Sequence, residues 1–84
     1  MKQQEILDTI APCIRAHQAA GSAIEIEQAN LPSIDGTLRE RIRITPGKAG
    51  AFGSLFISDF SAVCRENFIA FAIGATNNQP YILL

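Results

Sequence analysis

Two residue types that do chemistry stand one helical turn apart near the start of the chain. Cys13 and His17 are separated by four positions, so on a helix their side chains are neighbours. With Cys64 as a third ligand they could form part of a zinc site, or the imidazole could activate a thiol nucleophile. His17 lies within an apolar stripe, however, which favours a structural histidine beside a packed thiol. We therefore predict no catalytic site, no metal and no cofactor, with a small Cys/His enzyme or metal protein as the second alternative.

Three arginines at alternate positions form the sharpest charge feature. On a strand, Arg39, Arg41 and Arg43 would project from one face about 6.6 Å apart. Such a row could follow a nucleic-acid backbone or contact another protein. No aromatic residue is interleaved with the arginines, which weakens the nucleic-acid interpretation. Glu25 and Glu27, on a predicted neighbouring strand, could neutralise two of the three.

A glycine-rich stretch surrounds one lysine. Gly47, Gly50 and Gly53 flank Lys48 in a way that could let a backbone approach a phosphate closely. The spacing does not match the P-loop pattern, and residues 54–58 are expected to form a strand where a helix is required. We predict a flexible connection, with Lys48 joining the arginines as candidate protein-binding or nucleic-acid-binding residues.

One helix and several strands must position these residues. Apolar spacing predicts a helix over residues 2–20, kinked at Pro12. The strands are predicted at residues 23–29, 38–44, 54–58, 67–74 and 80–84, with a short second helix near 59–66 and a turn at 76–79. Because Pro80 lacks an N–H group, the last strand is expected to begin at a sheet edge, either packed on the core or added to a partner's sheet.

The two charged strands indicate their own pairing. Setting Ile26 opposite Ile42 places Glu25 across from Arg43 and Glu27 across from Arg41. A two-residue turn at Asp35-Gly36 would put glutamates on the isoleucine face. A longer loop or a bulge is therefore predicted over residues 30–37, with Leu31 and Ile34 folding back on the core.

Length and composition bound the remaining possibilities. The chain has 84 residues, is 48% hydrophobic and carries a formal net charge of -1. One domain spanning residues 1–84 is expected, and its small core makes a partner that buries more surface advantageous. The slightly acidic balance argues against a general nucleic-acid binder. No membrane-spanning or signal-peptide run is found, and two thiols without a CxxC pair indicate a cytoplasmic protein.

These observations together predict a fold class and a function. The fold is α+β, with an N-terminal amphipathic helix packed on an antiparallel sheet of four to five strands. The leading hypothesis is a non-enzymatic protein-binding module that also forms a homodimer and acts through the charged sheet face and the glycine-rich loop. Small domains of this kind often serve as inhibitors or adaptors, including phage and mobile-element proteins. The first alternative is a nucleic-acid-binding protein that uses the Arg39, Arg41 and Arg43 face.

Overall fold

Helices and strand pairs alternate along the chain. The computed structural model describes residues 2–32 and 35–84. The elements are, in chain order, α1 (Gln3–Ala19), β1 (Glu25–Pro32), β2 (Leu38–Thr45), a 3-10 turn (Gly47–Ala49), α2 (Ser54–Glu66), β3 (Ala72–Thr76) and β4 (Gln79–Leu83). An N-terminal helix, a four-stranded antiparallel sheet and a second helix confirm the predicted α+β class.

Helix α1 forms where apolar residues recur every three or four positions. Ile10 and Ile14 are buried, and Ile6 packs against the core beside them. Pro12 lies on the exposed side of one continuous helix, so the apolar stripe keeps its phase across it. The helix predicted over residues 2–20 is confirmed to within one residue at each end.

The sheet is built from two αββ units in the same arrangement. Its strand order is β1-β2-β4-β3, and all neighbouring strands are antiparallel. The second strand of each unit therefore lies at the centre, and the first strand of each lies at an edge. The two helices pack against each other. The sequence contains no recognisable repeat, so this duplicated architecture emerges only in three dimensions.

Strands β1 and β2 have the predicted faces but a different register. Ile26 lies opposite Ile44, two positions away from the predicted partner Ile42, and Glu27 lies opposite Arg43. Side-chain alternation determines which residues share a face, and a shift of two positions leaves every face unchanged. The predicted register was therefore wrong, although isoleucine does face isoleucine.

The connection between these strands sets the register. It runs over residues 33–37, because β1 continues to Pro32 and pairs it with Leu38. The prediction of more than a two-residue Asp35-Gly36 turn is confirmed. Leu31 belongs to β1 rather than to the loop, and the predicted packing of Ile34 lies outside the described residues.

Strand β4 occupies an interior position between β2 and β3. It pairs with β2 at Leu83 and Ile82, and the Leu84 main chain continues the ladder through two hydrogen bonds to Ile42. Continued in the same register, the ladder would next require hydrogen bonds between Pro46 and Pro80, neither of which has an N–H group. The last strand is therefore an interior strand and not an edge strand. Only its first residues, which extend beyond the end of β2, lack a described neighbour on that side.

Helix α2 is longer than predicted and replaces the strand expected at 54–58. Phe56, Phe60 and Cys64 follow one another at intervals of four, and all three are buried. This period becomes visible only when the segment is considered together with the residues after it, because five residues alone fit a strand equally well. The short helix predicted at 59–66 is the second half of α2.

The strand predicted at 67–74 begins later, because the hydrogen bonds that end α2 extend to Ile69. The Ile69 amide donates to the Cys64 carbonyl at 2.8 Å, and the Phe68 amide donates to Arg65 at 3.4 Å, a Schellman-type helix end. Phe68 has a φ of 56° there, in the left-handed region where glycine is usual. Strand β3 starts at Ala72, and the turn predicted at 76–79 is confirmed.

Both helices pack on one face of the sheet, which we call the inner face. Its central residues Ile42, Ile44 and Ile82 are buried in a common core with residues of both helices. Phe56 stacks at 5.6 Å ring-centroid distances on Phe52 and on Phe60, and Phe60 in turn meets Phe71 edge-on at 5.4 Å. None of the elements in residues 2–32 and 35–84 covers the opposite face, which we call the outer face.

Candidate interaction surface

The predicted arginine row lies on the outer face, and each arginine has a partner within the chain. Arg43 forms an ion pair with Glu27. Arg41 donates from Nε to the Leu84 carbonyl at 3.1 Å, and Arg39 lies 3.5 Å from the Asp35 carboxylate. The predicted pairs of Glu25 with Arg43 and of Glu27 with Arg41 are wrong, because the register differs by two.

Carboxylates neutralise part of the positive charge of the outer face. Arg43 pairs with Glu27 and Arg39 with Asp35, whereas the partner of Arg41 is a main-chain carbonyl. Hydrogen bonds from Thr37, mainly from its hydroxyl at 2.6 Å, lower the pKa of Asp35. Each arginine of the row therefore has a hydrogen-bond or ion-pair partner within the chain.

Tyr81, which is not among the predicted site residues, lies on the same sheet face as Arg43. Tyr81 is directly opposite Gly74 in the β3–β4 ladder and shares the outer face with Arg43, which pairs with Leu83. A side chain at position 74 would have its Cβ 2.6 Å from the Tyr81 ring, so the ring covers the glycine. The turn at Asn77-Asn78 places these residues opposite each other, and the sequence contained that information.

The Tyr81 ring and Arg43 border one shallow depression. Its other lining residues are Thr45, Thr76, Asn77, Gln79 and Pro80. Its lining residues include hydroxyl, amide and guanidinium side chains. It combines an aromatic face with hydrogen-bond donors and acceptors, the pairing that protein interfaces favour.

Lys48 lies apart from the arginine row. It is exposed in the 3-10 turn and lines a different depression with Ser22, Phe52 and Gly53, among others, and without any arginine. A helix does follow this glycine-rich loop, contrary to the expectation from sequence, and α2 begins after Gly53 with no side-chain cap. The spacing of the P-loop pattern is still absent, so the structure joins Lys48 neither to the arginines nor to a recognised phosphate motif.

Cys13 and His17 lie on α1 beside α2. His17 Nε2 lies 2.8 Å from the Asp59 carboxylate, and its ring meets Phe56 edge-on at 5.3 Å. Cys13 lines the same shallow surface depression as His17 and Asp59. Asp59 was not singled out from the sequence, since only the packing of α1 on α2 brings it to His17.

Neither thiol is activated in this arrangement. Burial, and secondly the Asp59 carboxylate, raise the pKa of Cys13. Burial, with a smaller effect of Cys13, raises the pKa of Cys64 to about 11. A nucleophilic thiol needs the opposite shift. Among residues 2–32 and 35–84, which include Cys13, His17 and Cys64, no three His, Cys, Asp or Glu side chains are placed to hold a metal ion.

Two further findings concern the chain as a whole. In the part of the chain that the structure describes, neither helix combines the length and the apolar character needed to cross a membrane. Comparison with protein-family models, with curated proteins and with solved structures finds no match to this chain.

Proposed function

We propose that this protein is a protein-binding module, of the inhibitor or adaptor type, that engages its partner through the outer face around Arg43 and Tyr81 and acts as a homodimer. One observation carries the proposal: Arg43, paired with Glu27, and Tyr81, whose ring lies over Gly74, border one depression on a sheet face that no described helix covers. Arginine and tyrosine are among the residues that contribute most to protein interfaces.

Preorganisation supports this assignment. Glu27 holds the guanidinium of Arg43, and Gly74 provides a flat seat for the Tyr81 ring. Side chains that are already ordered lose less conformational entropy when a partner binds, so more of the contact energy appears as affinity. Arg41, tied to the Leu84 carbonyl, extends the same ordered surface along β2.

The balance of charge favours a protein over a nucleic acid. Binding to a phosphate backbone draws its free energy from the release of counterions by unneutralised cations. Here two of the three arginines, Arg43 and Arg39, pair with the carboxylates of Glu27 and Asp35, and Arg41 donates to the Leu84 carbonyl. The raised pKa values of both thiols likewise support a binding role over catalysis.

Capture followed by titration tests the proposal. The immobilised chain captures proteins from a lysate of the source cells, and the partner is identified, purified and titrated calorimetrically against variants. Arg43→Ala should weaken binding at least about tenfold, as expected for a central interface residue. Arg39→Ala is the matched control on the same strand and face; it should change the affinity by less than about twofold, because rim charges contribute little.

The same variants separate the alternatives. If Arg43→Ala and Arg39→Ala bind as the wild type does, the outer face is not the binding surface and the proposal fails. Fluorescent DNA and RNA oligomers provide the second arm. Binding that falls steeply between low and physiological salt, and that is lost on replacing Arg39, Arg41 and Arg43 together with alanine, would establish the nucleic-acid alternative instead.

A further inference from the structure

The two edges of the sheet differ in how they are protected. Edge strand β1 carries Glu25 and Glu27 and ends at Pro32, whereas edge strand β3 has neither a charged residue nor a proline. The whole segment 67–84 contains no charged residue. Natural sheets use charges and prolines to prevent edge pairing. β1 therefore has this protection, and β3 lacks it.

The free hydrogen-bonding groups of β3 can be identified. Asn77 and Asn78 both have positive φ, as in the type I′ turn of a two-residue hairpin, whose flanking residues form a hydrogen-bonded pair. Hydrogen-bonded pairs alternate along the ladder, so Gly74 bonds to Tyr81. The N–H and C=O groups of Ile73 and Ala75 consequently point away from β4, toward the open edge.

Apolar side chains accompany these free groups. Ile73 on β3 is 55% exposed, and Phe68, in the segment that leads into β3, is 95% exposed. Phe68 also occupies the left-handed helix-end position that glycine normally takes. An exposed phenyl ring at a strained position contributes little within a single chain, whereas burial against a second molecule would use it.

The surface area indicates what that second molecule contributes. The chain exposes 5538 Å², whereas a monomer of this mass is expected to expose about 4,900 Å². The excess of about 600 Å² approaches the roughly 800 Å² that each partner buries in a standard interface. The molecule is also flat, with extents of 37 × 30 × 17 Å. A second copy paired at the sheet edge would bury part of the excess surface.

We infer that β3 pairs antiparallel with β3 of a second copy of this chain, which makes one eight-stranded sheet with a twofold axis. This inference rests on the homodimer of the proposed function and gives it a location. An uncharged edge meets its own copy without repulsion, whereas two β1 edges would bring Glu25 and Glu27 of both copies together. The pairing uses both β3 edges and leaves only charged edges, so assembly stops at the dimer.

Sedimentation of paired variants tests this interface. Ala75→Lys places a like charge from each copy near the twofold axis and should raise the dimer dissociation constant at least about tenfold. Gln28→Lys adds the same charge at an exposed position of the other edge strand and should leave that constant within about twofold. A monomeric wild-type chain at millimolar concentration, or equal effects of both variants, would overturn the inference.

Amide exchange gives an independent readout of which edge is paired. In a dilution series, the amides of Ile73 and Ala75 should lose protection as the dimer dissociates, while protection along β1 stays constant. A dimer in which these two amides exchange freely would place the interface elsewhere. Partner binding by the Ala75→Lys variant distinguishes the proposals, since it tests the Arg43 and Tyr81 surface whether or not the dimer forms.

Discussion

The two αββ units share an architecture but differ in the residues that fill their cores and in the charge on their strands. Among the residues whose burial is described, the buried ones from α1 to the end of β2 are all isoleucines, Ile10, Ile14, Ile24, Ile42 and Ile44. Those of the second unit are Phe56, Phe60, Cys64, Ile69 and Ile82. The first strand pair is covered with charges, and the second has none. The same arrangement of helices and strands thus accommodates two compositions. One unit has an isoleucine core and charged strands, and the other has an aromatic core and uncharged strands.

This difference indicates a division of roles between the units. The first unit provides a long strand pair whose ion pairs occupy its edge and its outer face. The second unit provides the tyrosine on the outer face and the unprotected edge. It also provides most of the aromatic column of the core, by which we mean Phe52, Phe56, Phe60 and Phe71. Contact with other molecules is therefore expected to depend on the place where the units meet and on the edge of the second.

The largest expected effect concerns the aromatic column. Phe60→Ala should lower the free energy of unfolding by about 3 to 5 kcal/mol, since Phe60 is fully buried between Phe56 and Phe71. Ile14→Ala is the counterpart in the first unit and should cost about 1 kcal/mol less, because aromatic contacts add to area burial. Urea denaturation measures both, and equal costs would remove the energetic distinction between the units.

The next effect is a loss of stability at alkaline pH through Cys64. Its folded pKa of about 11 exceeds the ordinary value of 9.0, so the unfolded chain releases the thiol proton first as the pH rises. The stabilising contribution is complete below pH 9 and should be lost between pH 9 and 11, by about 2 to 3 kcal/mol. The difference between the wild type and Cys64→Ala in denaturation at several pH values isolates this effect. A difference that does not vary with pH would contradict it.

Gly74 tests how closely the second strand pair is packed on the outer face. Gly74→Ala should destabilise the fold by about 1 to 3 kcal/mol, because the new methyl group meets the Tyr81 ring at 2.6 Å. Gly53→Ser is the control, since position 53 has open space and an N-cap backbone that serine favours. It should stabilise α2 by a few tenths of a kcal/mol. Thermal denaturation should show a lower melting temperature for Gly74→Ala and a higher one for Gly53→Ser. An unchanged melting temperature for Gly74→Ala would show that the Tyr81 ring does not pack closely over position 74.

Phe68 tests whether a left-handed backbone conformation destabilises the second unit in the single chain. Phe68→Gly should raise the stability of the monomer by about 1 kcal/mol, because glycine adopts the left-handed conformation without cost. The measurement is denaturation at a concentration where the chain is monomeric. A destabilised variant would mean that the exposed ring contributes within the single chain.

The smallest expected effect lies in the charged unit. A double-mutant cycle on Glu27→Ala and Arg43→Ala should give a coupling of less than about 1 kcal/mol, as is usual for exposed pairs. The coupling should fall as salt is added. The longer Asp35 and Arg39 pair, at 3.5 Å, should couple still more weakly. A large Glu27–Arg43 coupling would make the first unit as dependent on its charges as the second is on its phenylalanines.

Periodicity over long segments was sufficient to predict much of this fold. The stripe of Ile6, Ile10 and Ile14 specified α1, and the alternation of arginine with isoleucine placed β2 and its two faces. Short apolar segments were not sufficient, because residues 54–58 satisfy a helical and an extended period equally. Their helical state follows from continuity with Phe60 and Cys64, which need the same face for the core.

The candidate interaction surface was also predictable only in part. From the sequence alone, Arg39, Arg41 and Arg43 could be placed on one face, and the Asn77-Asn78 turn implies that Tyr81 lies opposite Gly74. Only the tertiary structure decided that Glu27 holds Arg43, because a shift of two residues leaves the alternation unchanged and the connecting loop sets the register.

The placement of whole elements was also decided in three dimensions. Asp59 reaches His17 because two helices far apart in the chain pack together. The β3 edge is open because the central positions are taken by β2 and β4. Local sequence patterns specify which face of an element is apolar, whereas the order of strands in a sheet depends on how the faces of all elements are buried at once.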